Sequence, residues 1–355
     1  MNNEKYIGLD VHQATISVAV LDSTGKVVME SILETKAATI LQFFAGLRGR
    51  LSATFEEGTC AAWLYDLLKP HVAQLVVCNP RKNALLKDGN KSDRIDARKL
   101  AQLLRGDHLK PVYHGETGVR TLRELARSYL TTVKDLTRVM NRLKAVYRSW
   151  AIPCAGRDVY YTRHRAAWLD KLPHPGVRRR AEQLYQHLDV LQGLRQQARR
   201  ELLAESRKHL ATARLRQIPC LGPIRAALLV ALIQTPHRFR TKRQLWAYGG
   251  LALETRVSAE YRYLEGQLRR SKKLLSIRGL NRDHNHDLKA LFKAASLAAS
   301  VRPGTFRDFY QTLLAKGMQP NLARLTLARK IAAIALTLWK KGEAFDAEKL
   351  KPQAA

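Results

Sequence analysis

Four acidic side chains in the first hundred residues have the types and spacing of a metal-dependent phosphodiester site. Asp10 and Glu57 each follow a short apolar run, and Asp93 and Asp96 lie three apart on a predicted helix, where they share one face. Carboxylates that converge must share a cation or a proton, and hard oxygen ligands select Mg²⁺ or Mn²⁺. Metal ions held in this way cleave or transfer phosphodiesters. Taken alone, Asp93 and Asp96 are equally typical of ordinary first-turn acids.

Strands and helices in residues 1–106 must position these acids. The predicted order is three antiparallel strands (5–10, 15–21, 26–31), a helix (36–47), a strand ending at Glu56 or Glu57, a helix (61–68), a strand (74–78) and a helix to residue 105 that Ser92 caps. This order predicts a mixed sheet covered by helices. In such a sheet the first and fourth strands commonly lie side by side, so we expect Asp10 close to Glu57.

The charge of the chain is very unevenly distributed. The formal net charge is +32 and the pI is about 10.4. Residues 1–106 carry 14 Lys and Arg against 11 Asp and Glu, which leaves 48 against 19 for residues 107–355. A strongly basic balance indicates a polyanionic partner. The acids therefore belong to a nearly neutral domain, and we expect the basic remainder to hold nucleic acid.

The composition also excludes several classes of protein. An apolar content of 46% is typical of a globular chain. The four cysteines lack the spacing of a zinc site or a disulfide framework, which fits a reducing cytoplasm. The N-terminal segment lacks an apolar signal core, and the longest apolar run, residues 331–339, is too short to span a bilayer. We therefore expect a cytoplasmic protein without a membrane segment.

Two apolar seams at heptad spacing follow the acidic domain. The first runs from residue 122 to Trp150 in steps of four and three, and the second runs from residue 177 to residue 202, broken at Arg195. A connection that contains proline and glycine separates them. Two long helices joined in this way predict an antiparallel coiled-coil hairpin, whose exposed faces are rich in arginine.

The last third combines a turn of phosphate-binding type with basic, serine-containing segments. Residues 218–223 resemble the turn of a helix-hairpin-helix, although Cys220 replaces its first glycine and a plain capping turn fits almost as well. A serine flanked by arginines could attack a phosphodiester, because guanidinium groups stabilise the developing charge. Spacing alone does not choose among three serines, which are Ser258, Ser271 and Ser276. His284 and His286 are more typical of solvated caps or phosphate contacts than of a metal site.

Three motifs in the first domain resemble those of the RuvC-like DEDD transposases of bridge-RNA-guided insertion sequences, which are related to the Piv invertase. Residues 6–12, Tyr-Ile-Gly-Leu-Asp-Val-His, resemble the family's opening strand with its first catalytic acid. Glu-Gly-Thr at 57–59 resembles the family's Glu-small-Thr motif, which favours Glu57 over Glu56. Asp-Arg-Ile-Asp-Ala at 93–97 resembles its paired-aspartate motif, at the right distance after Pro-Arg-Lys at 80–82.

The C-terminal part resembles the family's second domain, so the resemblance covers nearly the whole chain. Ala-Tyr-Gly-Gly-Leu at 247–251 precedes Ser258, which matches the position of the family's nucleophile, although Ala259 and Glu260 replace the glycines that usually follow. The expected domains are a RuvC-like (RNase H-like) α/β catalytic domain at 1–106, a coiled-coil hairpin at 115–213, a mostly α-helical domain with the nucleophilic serine at 214–345, and a tail at 346–355.

The resemblance implies an enzyme that cuts and exchanges DNA strands. Asp10, Glu57, Asp93 and Asp96 would hold Mg²⁺ or Mn²⁺, and Ser258 would form a covalent 5′-phosphoserine intermediate. A structured bridge RNA would pair with donor and target DNA, while the protein reads shape and backbone. A homo-oligomer is expected, either a dimer or a tetramer on DNA. The residues expected to contact nucleic acid are Arg81, Lys82, Arg94, Gly222, Arg256, Arg262, Arg269, Arg270, Lys272 and Lys273.

Three other functions fit parts of the same sequence. An RNase H-fold nuclease or junction resolvase that uses water as its nucleophile needs the acids but not Ser258. An actin-like sugar kinase shares the order of the first strands and an early aspartate, but the absence of glycine-rich phosphate loops and the large positive charge argue against it. A non-enzymatic RNA- or DNA-binding scaffold with a degenerate site would not depend on Asp10.

Overall fold

A computed structural model of the protein describes residues 4–80, 92–114, 117–256, 261–264, 266–270 and 276–347. Backbone contacts divide the chain into two compact units, Met1–Gly115 and Glu116–Ala355. Within the described part of the chain, every helix is too short or too polar to cross a lipid bilayer.

The first unit is a five-stranded mixed sheet with three helices, as the order of its sequence patterns predicts. Its elements are β1 (Glu4–Val11), β2 (Thr15–Leu21), β3 (Val27–Glu34), α1 (Ala37–Ala45), β4 (Arg50–Glu56), α2 (Ala61–Leu68), β5 (Gln74–Cys78) and α3 (Asp93–Arg105). The strand order is β3-β2-β1-β4-β5, with β2 antiparallel to both β1 and β3, and with β4 parallel to β1 and β5. The predicted adjacency of the first and fourth strands is therefore confirmed.

Side chains alternate along a strand, so the two faces of β1 have different surroundings. Ile7 and Leu9 are buried in a core cluster shared with α1, α2 and β4. Gly8 and Asp10 lie on the opposite face, where the backbone of α3 passes directly over Gly8. Ser92 caps α3 as predicted, since its side chain accepts a hydrogen bond of 3.3 Å from the Ile95 N–H. The strand and the capped helix together set the position of the acids.

Replacing Gly8 by alanine is expected to separate α3 from the sheet. An added Cβ would overlap the Ala97 carbonyl and lie 2.6 Å from the backbone nitrogen of Ala101, so backbone rather than a flexible side chain has to move. Overpacking of this kind costs about 3 kcal/mol or more in unfolding free energy. Thermal unfolding and hydrogen exchange of the β1 and α3 amides measure the effect. Gly46→Ala is the control, because its Cβ would meet only ordinary contacts; equal behaviour of the two variants would contradict the prediction.

The second unit is mainly helical and contains four short strands that the sequence analysis did not predict. Its elements are α4 (Arg120–Arg148), α5 (Arg165–Leu169), α6 (Pro175–Ser206), α7 (Leu210–Leu215), α8 (Pro223–Ile233), α9 (Lys242–Tyr248), β6 (Leu253–Arg256), β7 (Tyr261–Leu264), β8 (Gln267–Arg270), β9 (Ser276–Leu280), α10 (His286–Val301), α11 (Thr305–Ala315) and α12 (Pro320–Lys341). The strands form two antiparallel pairs, β6 with β9 and β7 with β8.

Helices α4 and α6 pack against each other as an antiparallel hairpin. Leu143 near the end of α4 shares a buried cluster with Leu188 in the first half of α6, whereas Leu122 at the start of α4 shares another cluster with Leu202 near the end of α6. The predicted seam is thus buried at both ends. Trp150, its last predicted position, lies beyond the end of α4 and is 38% exposed. A supercoiled, knobs-into-holes arrangement stays a prediction.

Candidate functional site

Asp10 and Asp93 meet at the end of β1, together with a histidine. A carboxylate oxygen of each aspartate and a ring nitrogen of His12 all lie within 4.8 Å of one another. His12 Nε2 donates a hydrogen bond of 3.1 Å to Asp10 and lies 3.5 Å from Asp93. Among the described residues this is the single group of three or more metal-ligating side chains at such distances. The group stays accessible to a substrate, because the Asp93 side chain is 63% exposed.

Asp96 extends the acidic group by one turn of α3. Its Oδ1 atom is buried and has no hydrogen-bond partner among the described residues, and its charge acts on Asp10. A buried carboxylate oxygen without a donor is costly, and a bound cation would satisfy it. Carboxylate oxygens are the ligands that Mg²⁺ and Mn²⁺ prefer, and three carboxylates are available here beside the imidazole of His12. The donor set of this site therefore fits a divalent ion.

The surroundings of Asp10, above all its partial burial, make its ionised form unfavourable. Partial burial raises the pKa of Asp10, the charge and hydrogen bond of His12 lower it, and the carboxylates of Asp93 and Asp96 raise it further. The net effect is a raised pKa, because removal from water and two like charges outweigh one imidazole. A divalent cation would reverse this balance, since positive charge favours the carboxylate form.

The two glutamates at the end of β4 have different surroundings. Glu57 accepts a hydrogen bond of 2.7 Å from Nε2 of the buried His114, whose ring stacks on Tyr65 of α2. Glu56 follows the Leu9–Phe55 pair in the register and therefore lies beside Asp10, on the same face of the sheet. Neither Glu56 nor Glu57 belongs to the group of described ligands around Asp10. The role of Glu57 as a metal ligand stays a prediction, and the strand register makes Glu56 the alternative ligand.

Two histidines of this region were not recognised as site residues in the sequence. His12 had a readable signal, because it is two positions after Asp10 and strand alternation places both side chains on one face. His114 had none, since it reaches Glu57 across 57 positions of sequence. Contacts between distant positions depend on the packing of the whole unit, which local patterns do not describe.

Glu30 on β3 holds the start of α3. Its carboxylate accepts hydrogen bonds from Nε of Arg94 at 2.6 Å and from a terminal nitrogen of Arg98 at 2.7 Å. These two guanidinium groups lower the pKa of Glu30 to about 2. Arg94, which we expected to contact nucleic acid, thus has a partner within its own unit. Because Arg94 directly follows Asp93, this pairing helps to fix the first turn of α3.

Replacing Glu30 by glutamine is expected to destabilise the first unit in a pH-dependent way. The carboxyl pKa is lower in the folded protein, so the stabilisation is complete above the ordinary value of 4.5 and is lost as the pH falls towards about 2. Glu30→Gln should therefore melt below the wild type at pH 7 and match it near pH 2, as measured by thermal unfolding across that range. Glu34→Gln is the control on the same strand, because Glu34 pairs only with the exposed Lys36. A difference that does not change with pH would contradict this reading.

In the second unit, the structure describes only part of the predicted nucleic-acid site. Gly222 is the N-cap of α8 and Pro223 is its first residue, so the first backbone N–H groups of that helix have no carbonyl within the helix to bond, as in a phosphate-binding turn. Arg269 is exposed on β8. Three further predicted residues lie on the short strands, Arg256 on β6, Arg262 on β7 and Arg270 on β8, but their side chains are not among those that the structure describes. Five predicted residues lie outside the described residues altogether, namely Arg81, Lys82, Ser258, Lys272 and Lys273.

The two predicted histidines before α10 also have a structural environment. Asn285 caps α10, with its side chain accepting a hydrogen bond of 2.9 Å from the Leu288 N–H. The rings of His284 and His286 lie 4.4 Å apart, and His284 packs over Gly250, where φ is +64°. Burial lowers the pKa of His284, and the charge of Lys289 acts in the same direction. The pair fits the expected capping segment.

Comparison with known proteins finds two transposase family models that match parts of the chain. Residues 7–150 match the family model of the IS110 DEDD transposases, and residues 212–311 match that of the transposase IS116/IS110/IS902 family. The transposase for insertion sequence element IS1533 from Leptospira borgpetersenii is 29% identical over 185 residues, which are 48% of this chain and 51% of that relative. The chain thus spans about half the length of the curated relative it matches. Two separate segments of the chain are therefore similar to the IS110 family of transposases.

Proposed function

We propose that this protein is an RNA-guided DNA recombinase that cuts and exchanges DNA strands through a covalent 5′-phosphoserine intermediate. The observation that carries the proposal is the convergence of Asp10 and Asp93 at the end of β1, with the buried, unpartnered Oδ1 of Asp96 one helical turn away. The similarity of two segments to transposase families supports DNA as the substrate. The strand order β3-β2-β1-β4-β5 supports an RNase H-like, RuvC-like first domain.

The acidic residues of the first unit would hold Mg²⁺ or Mn²⁺. We assign Asp10, Asp93 and Asp96 as ligands, together with one glutamate from the end of β4. A bound ion of this kind neutralises phosphate charge and stabilises the leaving oxygen of the phosphodiester. His12 keeps the Asp10 carboxylate oriented through its hydrogen bond, and Glu30 keeps the first turn of α3 in place through Arg94 and Arg98.

Ser258 of the second unit would be the nucleophile. Its hydroxyl oxygen forms a bond to phosphorus while the bond from phosphorus to the 3′ oxygen breaks, and the serine proton is lost as the 3′ oxygen gains one. The product is a 5′-phosphoserine and a free 3′-hydroxyl. Because one phosphoester replaces another, the bond energy is retained and a second 3′-hydroxyl can reverse the step. Reversal with a different 3′-hydroxyl is strand exchange.

Guidance by RNA and assembly into an oligomer complete the proposal. The excess of 48 Lys and Arg over 19 Asp and Glu in residues 107–355 is sufficient for a protein that holds both RNA and DNA. The exposed Arg269, the turn at Gly222 and the neighbouring basic positions are the proposed backbone contacts. A structured RNA would select donor and target by base pairing, and two or four copies of the chain would bring the sites together.

One experiment tests this function directly. The protein is purified from cells that also carry the noncoding DNA flanking its gene, and copurifying RNA is extracted and sequenced. The expected RNA comes from that flanking DNA, and adding it with matching DNA and Mg²⁺ yields a protein–DNA adduct that survives denaturing electrophoresis. Recombination without any bound RNA would overturn RNA guidance, and cleavage without an adduct would leave a nuclease that uses water.

The choice between Glu56 and Glu57 has its own test. Glu56→Gln is expected to weaken Mn²⁺ binding at least tenfold, because Glu56 lies beside Asp10 in the register. Glu57→Gln is expected to have a smaller effect on binding, since its described partner is His114. Calorimetric titration of the metal-free protein with Mn²⁺ compares the two isosteric variants. A larger loss of Mn²⁺ affinity in Glu57→Gln than in Glu56→Gln would instead identify Glu57 as the ligand, as the sequence motif predicts.

A further inference from the structure

The tip of the α4–α6 hairpin, residues 141–180, carries uncompensated positive charge. These forty positions contain ten Lys and Arg residues but only two Asp and no Glu. Arg165 pairs with Asp189, while Arg178 and Arg179 pair with Glu182. Six exposed cations make no ion pair with any described carboxylate, and they are Arg142, Arg148, Arg157, Arg163, Lys171 and Arg180. An anionic partner is therefore favoured at the hairpin tip.

Two aromatic side chains of the hairpin tip are exposed to solvent. Trp150 is 38% exposed and Tyr161 is 47% exposed, whereas the neighbouring Trp168 is 7% exposed and belongs to the core of the hairpin. Cationic or ionisable groups flank both exposed rings. The Arg163 guanidinium lies 5.6 Å from the Tyr161 ring, and the His174 ring lies 4.8 Å from that of Trp150. Aromatic rings among cations are the components of a single-strand stacking surface.

The backbone fixes Trp150 just beyond the end of α4. Ile152 N–H donates to the Tyr147 carbonyl and Ala151 N–H to the Arg148 carbonyl, both at 3.0 Å, which is the pattern of a Schellman C-cap. Ala151 occupies the left-handed position of this cap with φ of +52°, where glycine is preferred. The helix thus stops at a defined point, and Trp150 is held at the surface.

The start of α6 adds an electrostatic reason for an anion at the hairpin tip. Pro175 begins this helix of 32 residues, its first turn contains no acidic residue, and Arg178 to Arg180 follow at once. Asp170 and Glu182 pair with Arg178 and Arg179, but Arg180 makes no ion pair with any described carboxylate and is therefore unfavourable near the positive N-terminus of the helix. A phosphate group bound beside Arg180 would relieve this repulsion.

We propose that the hairpin tip binds unpaired DNA, with bases stacked on Trp150 and Tyr161 and phosphates bound by the surrounding cations. Stacking on these rings requires bases that are not paired in a duplex. The choice of DNA rather than RNA as the partner rests on the proposed function, because strand exchange exposes unpaired DNA. The surface itself contains none of the residues assigned to cleavage.

Binding of a fluorescein-labelled fifteen-nucleotide oligo(dT) to the full-length protein tests the proposal by fluorescence anisotropy. EDTA is present, so the measurement requires neither a bound metal nor DNA cleavage. A negative result would therefore contradict this proposal without contradicting the proposed recombinase function. The double variant Trp150→Ala, Tyr161→Ala should bind about 10–100-fold more weakly. The double variant to phenylalanine should stay within about threefold of the wild type, because it keeps both rings. Trp63→Ala, which removes a tryptophan that is 41% exposed in the first unit, should have no effect.

A second readout reports stacking itself and does not depend on folding differences. Oligo(dT) should quench part of the tryptophan fluorescence, and the quenching should decrease in Trp150→Phe but not in Trp63→Phe. Arg157→Gln with Lys171→Gln should reduce the salt dependence of binding, by about 0.7 in slope for each lost phosphate contact. Unchanged affinity and quenching in the aromatic variants would overturn the proposal. At least tenfold tighter binding of oligo(U) through the same two residues would assign the surface to RNA instead.

Discussion

Asp10→Asn is expected to reduce metal-dependent strand cleavage by at least about a thousandfold. Asp10 is partly buried, and one of its carboxylate oxygens lies within 4.8 Å of a ring nitrogen of His12 and a carboxylate oxygen of Asp93. The bound ion stabilises the charge of the transition state by several kcal/mol, and losing that stabilisation lowers the rate by about a thousandfold. The measurement is cleavage of DNA in the presence of Mg²⁺ or Mn²⁺, together with calorimetric titration of Mn²⁺, which should show weakened or absent binding.

The same variant is expected to fold at least as stably as the wild type when metal is removed. Partial burial raises the pKa of Asp10, and repulsion from Asp93 and Asp96 raises it further when no cation is bound. The neutral amide removes one of the three charges and keeps the shape of the side chain. Thermal unfolding in EDTA should therefore give an equal or higher midpoint for Asp10→Asn, while added Mn²⁺ should stabilise only the wild type. Undiminished recombination by this variant would favour the non-enzymatic scaffold.

Ser258→Ala is expected to abolish the covalent protein–DNA adduct while leaving metal binding intact. The alanine removes the single oxygen atom that becomes bonded to phosphorus, and loss of a nucleophile costs at least about a thousandfold in rate. Denaturing gel electrophoresis with end-labelled DNA detects the adduct. Mn²⁺ titration and thermal unfolding of the variant should match those of the wild type, because the proposed ligands belong to the first unit.

Two matched variants separate Ser258 from the other candidate serines. Ser271→Ala and Ser276→Ala remove hydroxyl groups from the same basic region and are expected to retain the adduct. Loss of the adduct in one of them, with Ser258→Ala unaffected, would move the nucleophile to that position. Cleavage that persists in Ser258→Ala without any adduct would instead support an RNase H-fold nuclease or resolvase in which water attacks.

Much of the first unit could be predicted from its sequence because its signals are local. Alternating apolar residues identified the strands, the order of elements gave the mixed sheet, and Ser92 marked the start of α3. The neighbouring position of β1 and β4 followed from the usual arrangement of such sheets. That adjacency predicted Asp10 close to Glu57, whereas the structure groups Asp10 with Asp93 and His12.

Contacts between distant residues explain what the sequence did not show. Glu30 reaches Arg94 across 64 positions, and His114 reaches Glu57 across 57. The choice between Glu56 and Glu57 depends on register, which a one-residue shift would reverse. The strands β6 to β9 are only four or five residues long, which is too short to show the alternation that identifies a half-buried strand.

Every missense change at Gly8 adds at least one carbon atom between β1 and α3, whatever the new residue is. Mobile genes accumulate damaged copies, and a copy with such a change would encode a protein that keeps all of its acids and its serine. Its product would still be expected to be inactive, because the helix that carries two of those acids could no longer approach the sheet. Counting acids in a genome would therefore overestimate the number of active elements.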